Sequence, residues 1–224
     1  MRRLFIIGNS GAARECYWIF EDMLQADSAL RQTHSFGGFL AWRGFPANLR
    51  SLAGLLRGEA EAHELSENDR FAIGIADPAI RRAVFESFKA RDARFMTLRH
   101  PWTDISPTAS IGEANIFQRG STVFCDVTVG NANYFNGAVN LSHDVVVGDY
   151  NFVGPFSLLL GGSSVGDENM VATQCTLLPK ARIGNRNILA PGSFVYKGCR
   201  DNCRLAGNPA LNLGPVEELS LIHI

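Results

Sequence analysis

The sequence predicts two joined folds: an α/β unit of parallel strands and crossover helices over residues 1–100, and an all-β solenoid of very short parallel strands over residues 101–212. Three observations carry that prediction. Every sixth residue from Ile105 to Val195 is aliphatic or Phe, without a miss: Ile105, Ile111, Phe117, Val123, Val129, Phe135 and onward through Ile183, Leu189 and Val195. A longer period of eighteen lies over the six, visible as IGEANI at 111, VGNANY at 129, VGDYNF at 147, VGDENM at 165 and IGNRNI at 183. Residues before 100 lack this period and instead alternate short apolar runs with helical patterns.

A six-residue period suits neither a helix nor an alternating strand. It suits a three-sided coil in which each short face sends one large apolar side chain inward and three faces complete a turn, the hexapeptide parallel β-helix. Gly112, Gly130, Gly148, Gly166 and Gly184 follow inward residues, and Asn115, Asn133, Asn151, Asn169 and Asn187 recur three positions later. Both residue types tolerate positive φ, so both are expected at corners. Two positions before the inward residue the side chain is often small, as at Ala109, Ser121, Ser157, Ser163, Cys175, Ala181 and Ser193, which lets the coil close without overpacking.

In the first hundred residues, Arg3–Ile7 reads as a strand, Gly8-Asn9-Ser10-Gly11 as a turn, and Ala12–Leu24 as a helix burying Ala13, Cys16, Tyr17, Phe20, Met23 and Leu24. Strand, glycine turn and helix open a nucleotide-binding unit of the Rossmann-like kind, with free N–H groups at a helix start where phosphate binds. The turn is only G-x-x-G, so a structural cap without a ligand stays open as the alternative. Phe36–Leu40 and Phe71–Ile75 read as further strands, Pro78–Lys89 as a helix with Ile80, Val84 and Phe88 inward, and Phe95–Leu98 as a fourth strand. Pro101 and Pro107 mark the hand-over to the solenoid. The tail, 213–224, continues neither unit, and Leu219–Ile224 read as a sequence-assembly artefact over a truncated natural end.

Composition narrows function mainly by exclusion. A net charge of −1 leaves no electrostatic footprint for nucleic acid, and no apolar run approaches membrane-spanning length. No signal-peptide pattern opens the chain, so the cytoplasm is expected. The five cysteines are scattered; Cys199 and Cys203 lack partners at zinc-site spacing, and Cys175 falls on a packing position. No metal is expected.

A β-helix has a packed interior and repetitive faces, so chemistry needs an odd residue at a corner. His143 is the one histidine in the coils, and Asp144 follows it. Imidazole is the usual general base near neutral pH, and a neighbouring carboxylate orients it. The bland alternative is a surface histidine that happens to precede an acid.

Asn140-Leu-Ser-His-Asp-Val-Val-Val-Gly-Asp149, Gly161-Gly162 and Gly207-Asn-Pro-Ala210 resemble the left-handed β-helix acyltransferases. With Ile6-Ile-Gly-Asn-Ser-Gly11, Arg14-Glu15, Gly38-Phe-Leu40, Ala72-Ile-Gly74 and Arg81, nearly the whole chain resembles the sugar O/N-acetyltransferase family, which includes sialic acid O-acetyltransferase-like proteins and nucleotide-amino-sugar N-acetyltransferases of surface-glycan synthesis. The resemblance implies an enzyme that moves an acetyl group from acetyl-CoA to an amino or hydroxyl group of a sugar or nucleotide-linked sugar. It implies His143 as general base, Asp144 as its modulator, and a homotrimer with the coenzyme between neighbours. Gly161, Thr173, Pro191, Gly192 and Gly207 would line the coenzyme groove; Gly11, Ala12, Ala13, Ala41, Trp42 and Gly74 would face the sugar substrate. Three departures stand out. Ala12 replaces a histidine usual in the nucleotide-sugar enzymes, Ala41-Trp42 replaces an Asp pair, and Leu211 replaces a common basic residue. Phe152 likewise stands where some relatives have a second histidine. The competing reading is a non-catalytic trimeric scaffold or regulatory subunit.

Overall fold

In the computed structural model, residues 1–43 and 48–216 are described; the reading of Leu219–Ile224 as an artefact falls outside them. The N-terminal unit is a four-stranded parallel sheet of β1 (Arg2–Ile7), β2 (His34–Ala41), β3 (Leu56–Glu59) and β4 (Asp69–Ile73) in the order β3-β2-β1-β4. Helix α1 (Gly11–Ala26) follows β1, α2 (Ser28–Thr33) leads into β2, and α3 (Pro78–Lys89) follows β4. The α1 stripe of Ala13, Cys16, Ile19 and Phe20 packs with Leu4, Ile6, Phe39 and Ala72 of the sheet. Asp77 caps α3 by accepting a hydrogen bond from Ile80 N–H at 2.9 Å, with Pro78 at the first helical position, which matches the start expected from the sequence.

The rest of the described chain is a three-sided parallel β-helix of two-residue strands. Sheet I runs from Leu98–Arg99 to Cys203–Ala206 and ends on the antiparallel strand Leu211–Pro215; sheet II runs from Asp104–Ile105 to Phe194–Val195; sheet III runs from Ser110–Ile111 to Gly198–Cys199. Strands pair with the one eighteen residues on, as in Asn140↔Leu158 and Val146↔Ser164, until the last coil, where Arg182↔Gly198 and Ile188↔Arg204 close in sixteen. The inward ladder is buried from Phe117 to Val195, while Ile105 and Ile111, at the open first coil, are only partly so. These stacked parallel sheets fit a left-handed β-helix.

Two corner expectations need correction. Positive φ falls on the residue before each asparagine, at Ala114, Ala132, Tyr150, Glu168 and Arg186, and not on the asparagines or the glycines that start the motif. The asparagines are fully buried and stack as a ladder: Asn151 Oδ1 accepts from Asn169 N–H at 2.8 Å and from Asn169 Nδ2 at 2.9 Å, and Asn151 Nδ2 donates to the Gly166 carbonyl at 2.8 Å. Amide side chains suit this position because they accept and donate at once, leaving no buried polar group orphaned. The glycines are required by close approach instead: a Cβ on Gly112 would lie 2.5 Å from the Gly130 carbonyl oxygen of the next coil.

The expected fourth strand, Phe95–Leu98, is divided between the two units. Phe95 makes an isolated bridge to Phe71, whereas Leu98–Arg99 already pair with Ile116–Phe117 as the first strand of sheet I. The apolar run read as one strand therefore serves two cores. Arg81, with no solvent exposure, rivets these cores together. Its guanidinium donates to the carbonyls of Ile73 and Ile75 on one side and of Ala132 and Asn133 on the other, at 2.6–3.2 Å. Burial lowers its pKa to about 10, which leaves it cationic at neutral pH.

Candidate active site

His143 lies at the corner between sheets II and III, in the segment linking Asn140–Leu141 to Val146–Val147. Asp144 takes positive φ there, which turns its carboxylate back beside the preceding ring. Asp144 Oδ2 accepts from His143 Nδ1 at 2.7 Å. A carboxylate only accepts, so the contact places a ring proton on Nδ1, and in the neutral imidazole Nε2 is then the acceptor. Both side chains are exposed, at 64% each, so the pair is open to a substrate. Ser142 takes no part: its hydroxyl donates to Asn140 Oδ1 at 3.3 Å.

Gly161, one coil on, lies directly against the imidazole. A Cβ at this position would stand 2.6 Å from both Cε1 and Nε2 of His143, so the ring occupies the space that any side chain would need. Gly162 N–H donates to the His143 carbonyl at 3.0 Å, which keeps the two coils in register. The N–H of Gly161 itself has no partner among the described residues. His143, Asp144 and Gly161 are thus brought together.

Thr173, Pro191 and Gly192 are elsewhere. They occupy the corner between sheets I and II, separated from His143 by the whole width of sheet II. Thr173 Oγ1 donates to the Pro155 carbonyl at 3.0 Å, and Pro191 and Gly192 are exposed. Gly207 opens the turn of the last hairpin, and its carbonyl accepts from Phe194 N–H at 2.9 Å. Tyr134 and Phe152 pack together, 5.6 Å between ring centroids, under α1.

At the carboxyl ends of β1, β2 and β4 lies a cleft of about 360 Å³ lined by Asn9, Ser10, Trp42, Asn48, Ile75, Asp77 and Ile80. Chain order reverses direction between β1 and β4, which is where open α/β sheets place their ligand crevice. Ser10 makes no side-chain cap on α1, so the helix N–H groups there lack that partner. Of the six residues expected to face a sugar substrate, Trp42 lines the cleft. Ala41 is buried in the end of β2, Ala13 is buried against Gly74, and a Cβ on Gly74 would lie 2.6 Å from Ala13 Cα. Gly11 begins α1, and Ala12 packs into the core beside it. Sequence reasoning missed Asn48, Ile75, Asp77 and Ile80 as cleft residues; their signal is a place two to seven positions beyond a strand end, which only a correct strand boundary reveals.

Comparison with solved structures places this arrangement among known folds. PerB from Caulobacter crescentus, solved in complex with CoA and GDP-perosamine, is 25% identical, with a TM-score of 0.80 over 96% of this chain and 98% of that one. The acetyltransferase domain of PglB from Neisseria gonorrhoeae, in complex with acetyl coenzyme A, is 22% identical, with a TM-score of 0.80 over 95% and 99%. WeeI from Acinetobacter baumannii is 18% identical, with a TM-score of 0.70 over 95% and 100%. The chain has the fold of the hexapeptide β-helix sugar acetyltransferases. No family model matches the chain, and no curated protein matches it in sequence. No helix among the described residues is long and apolar enough to cross a membrane, and no group of three or more His, Cys, Asp or Glu among them could hold a metal ion.

Proposed function

We propose that this protein transfers an acetyl group from acetyl-CoA to an amino or hydroxyl group of a nucleotide-linked sugar, with His143 as general base. The observation that carries the reading is the His143 imidazole, held through Nδ1 by Asp144 and lying with Nε2 over Gly161, a residue without a side chain to block it. Acceptor and thioester can meet at that nitrogen. His143 Nε2 removes a proton as the acceptor nitrogen or oxygen attacks the thioester carbonyl. The Gly161 N–H, without a partner among the described residues, donates to the oxyanion that forms. Collapse breaks the carbon–sulfur bond, and the imidazolium returns its proton to the departing coenzyme thiolate. Neighbours in structure support this choice: the Caulobacter enzyme was solved with CoA and GDP-perosamine, also with a single histidine replaced by asparagine or alanine.

The N-terminal unit, residues 1–100, is the Rossmann-like sugar-substrate domain on this reading, and 101–212 the acyltransferase domain. The switch-point cleft, with its uncapped helix start and the indole of Trp42, suits a nucleotide's phosphate and base. An Ala41-Trp42 pair in place of two acids favours stacking over hydrogen bonding to the base.

A homotrimer completes the site. The coenzyme-facing residues of the resemblance divide between two corners of one prism, so one ligand touches all of them only if the II/III corner of one copy faces the I/II corner of another. Large apolar side chains are exposed along this side of the prism: Trp102 and Phe156 at the I/II corner, Phe124 and Tyr196 at the II/III corner, and Leu158 on sheet II between them. A surface of that kind is a docking surface for further copies.

The test is acetyl-CoA turnover against a panel of GDP-, UDP- and dTDP-linked amino sugars and sialic acid, with His143→Ala beside the wild type. The expected result is turnover on at least one acceptor and a loss of about a hundredfold or more in a normally folded variant. Equal turnover in the variant removes His143 from the mechanism, and absence of any acetyl-CoA binding leaves the scaffold reading.

A further inference from the structure

The corner that carries His143 changes its charge along the coil axis. Its successive corner segments read Phe124-Cys-Asp-Val127, Ser142-His-Asp-Val145, Leu160-Gly-Gly-Ser163, Leu178-Pro-Lys-Ala181 and Tyr196-Lys-Gly198. Acids stand at and before the histidine, Asp126 and Asp144; the next coil is uncharged; and the coils after it carry Lys180, Arg182 and Lys197, all exposed. None of these three cations has a carboxylate partner among the described residues. They are close neighbours. Lys180 N–H donates to the Gly161 carbonyl at 3.1 Å, Arg182 N–H donates to the Lys197 carbonyl at 3.0 Å, and a Cβ on Gly162 would lie 3.6 Å from Lys180 Cγ.

Lys197 also stands at the same II/III corner as His143, three coils further along the axis. The corner is two residues shorter there, since Arg182 pairs with Gly198, sixteen residues on. Three coil spacings of about 4.8 Å each come to roughly 14 Å. The pantetheine arm of the coenzyme, from thioester sulfur to diphosphate, has the backbone length of about four extended residues, or roughly 15 Å. A thioester held at His143 and an arm laid along the corner therefore deliver the diphosphate to the level of Lys197.

We infer that Lys197, with Lys180 and Arg182 beside it, is the clamp for the coenzyme's phosphates. The clamp uses side chains of the same copy that supplies His143. The I/II corner of the neighbour then closes the groove over the neutral arm. This inference rests on the acetyl-CoA reading of the groove and adds the residues that distinguish the full coenzyme from its pantetheine portion.

The experiment compares acetyl-CoA with acetyl-pantetheine, which keeps the thioester and the arm but lacks the phosphates and the nucleotide. Calorimetric Kd values for both are measured on the full chain for wild type, Lys197→Ala, Lys180→Ala, the double variant and Lys197→Arg. Wild type should favour acetyl-CoA strongly. Each alanine should cut the ratio of the two affinities about tenfold and the double variant further, with the salt dependence of acetyl-CoA binding shallower, because charge-assisted contacts are lost. Lys197→Arg keeps the cation and should keep most of the ratio. A ratio that stays within twofold of wild type in Lys197→Ala and in the double variant overturns the clamp while the transferase reading stands. Wild type that binds neither compound overturns both.

Discussion

At the scale of single residues, the proposed chemistry turns on the space between His143 and Gly161. A methyl on Gly161 would meet Cε1 and Nε2 of His143 at 2.6 Å, and because the Cβ is fixed to the backbone, the exposed ring is what moves. Gly161→Ala should therefore leave the melting temperature nearly unchanged while kcat falls about a hundredfold, as displacement of a catalytic group by an ångström does. Steady-state kinetics beside a thermal scan checks this; unchanged kcat would mean that the ring does not work from its present position. A second residue-scale outcome concerns pH. Burial pushes the Cys175 thiol up to about 11 from its ordinary 9.0. The unfolded chain ionises this thiol near the ordinary value, so the stability it lends is whole below about pH 9 and is lost as pH rises through about 11. Melting temperatures at pH 8–11 should decline less steeply for Cys175→Ala than for wild type, and parallel curves would remove Cys175 from that decline. The contact between His143 and Asp144 was legible in the sequence because the two stand side by side at a corner of the repeat; His100, which the structure puts in the first coil, is buried. The contact with Gly161 was legible only in part, since a period of eighteen relates the two positions but does not say which way the ring leans.

At the scale of elements, the coil is held by two interlocked ladders. The apolar ladder supplies burial, and the asparagine ladder supplies the hydrogen bonds that close one corner. Asn151→Ala removes the acceptor for Asn169 N–H and the donor to the Gly166 carbonyl, inside a corner with no solvent exposure. The cost should be about 3 kcal/mol, or a fall of roughly 6–12 °C in melting temperature for a chain of this size. A loss below about 1 kcal/mol would mean that water repairs the ladder. The apolar ladder was fully legible, because nothing but a three-sided coil asks for one large apolar residue in six. The asparagines were legible as a pattern but read with the wrong cause. Positive φ explains an exposed asparagine, whereas only the packing of adjacent coils shows that these side chains point inward. In the N-terminal unit, α3 was read to the residue as Pro78–Lys89, while β3 and α2 went unread. The β3 run, Leu56-Arg-Gly-Glu59, lacks an apolar pattern because it is the outer strand of the sheet. Without β3 and the correct end of β4, the cleft residues Asn48, Ile75 and Asp77 had no frame to be placed in.

At the scale of the whole molecule, the proposed trimer builds each reaction centre from two copies, with His143 at the II/III corner of one and Pro191 at the I/II corner of the next. The family resemblance implies groove residues at both corners but does not show that a single prism keeps them apart; that separation is a matter of sheet geometry. The most direct measurement is activity after mixing two inactive variants, His143→Ala and Pro191→Trp, co-refolded in equal amounts as trimers. If the sites lie at the seams, every mixed trimer contains one seam with both corners intact, so the mixture should recover roughly a quarter of wild-type turnover. A mixture as inactive as either parent, or a Pro191→Trp variant that is fully active alone, would contradict the shared site.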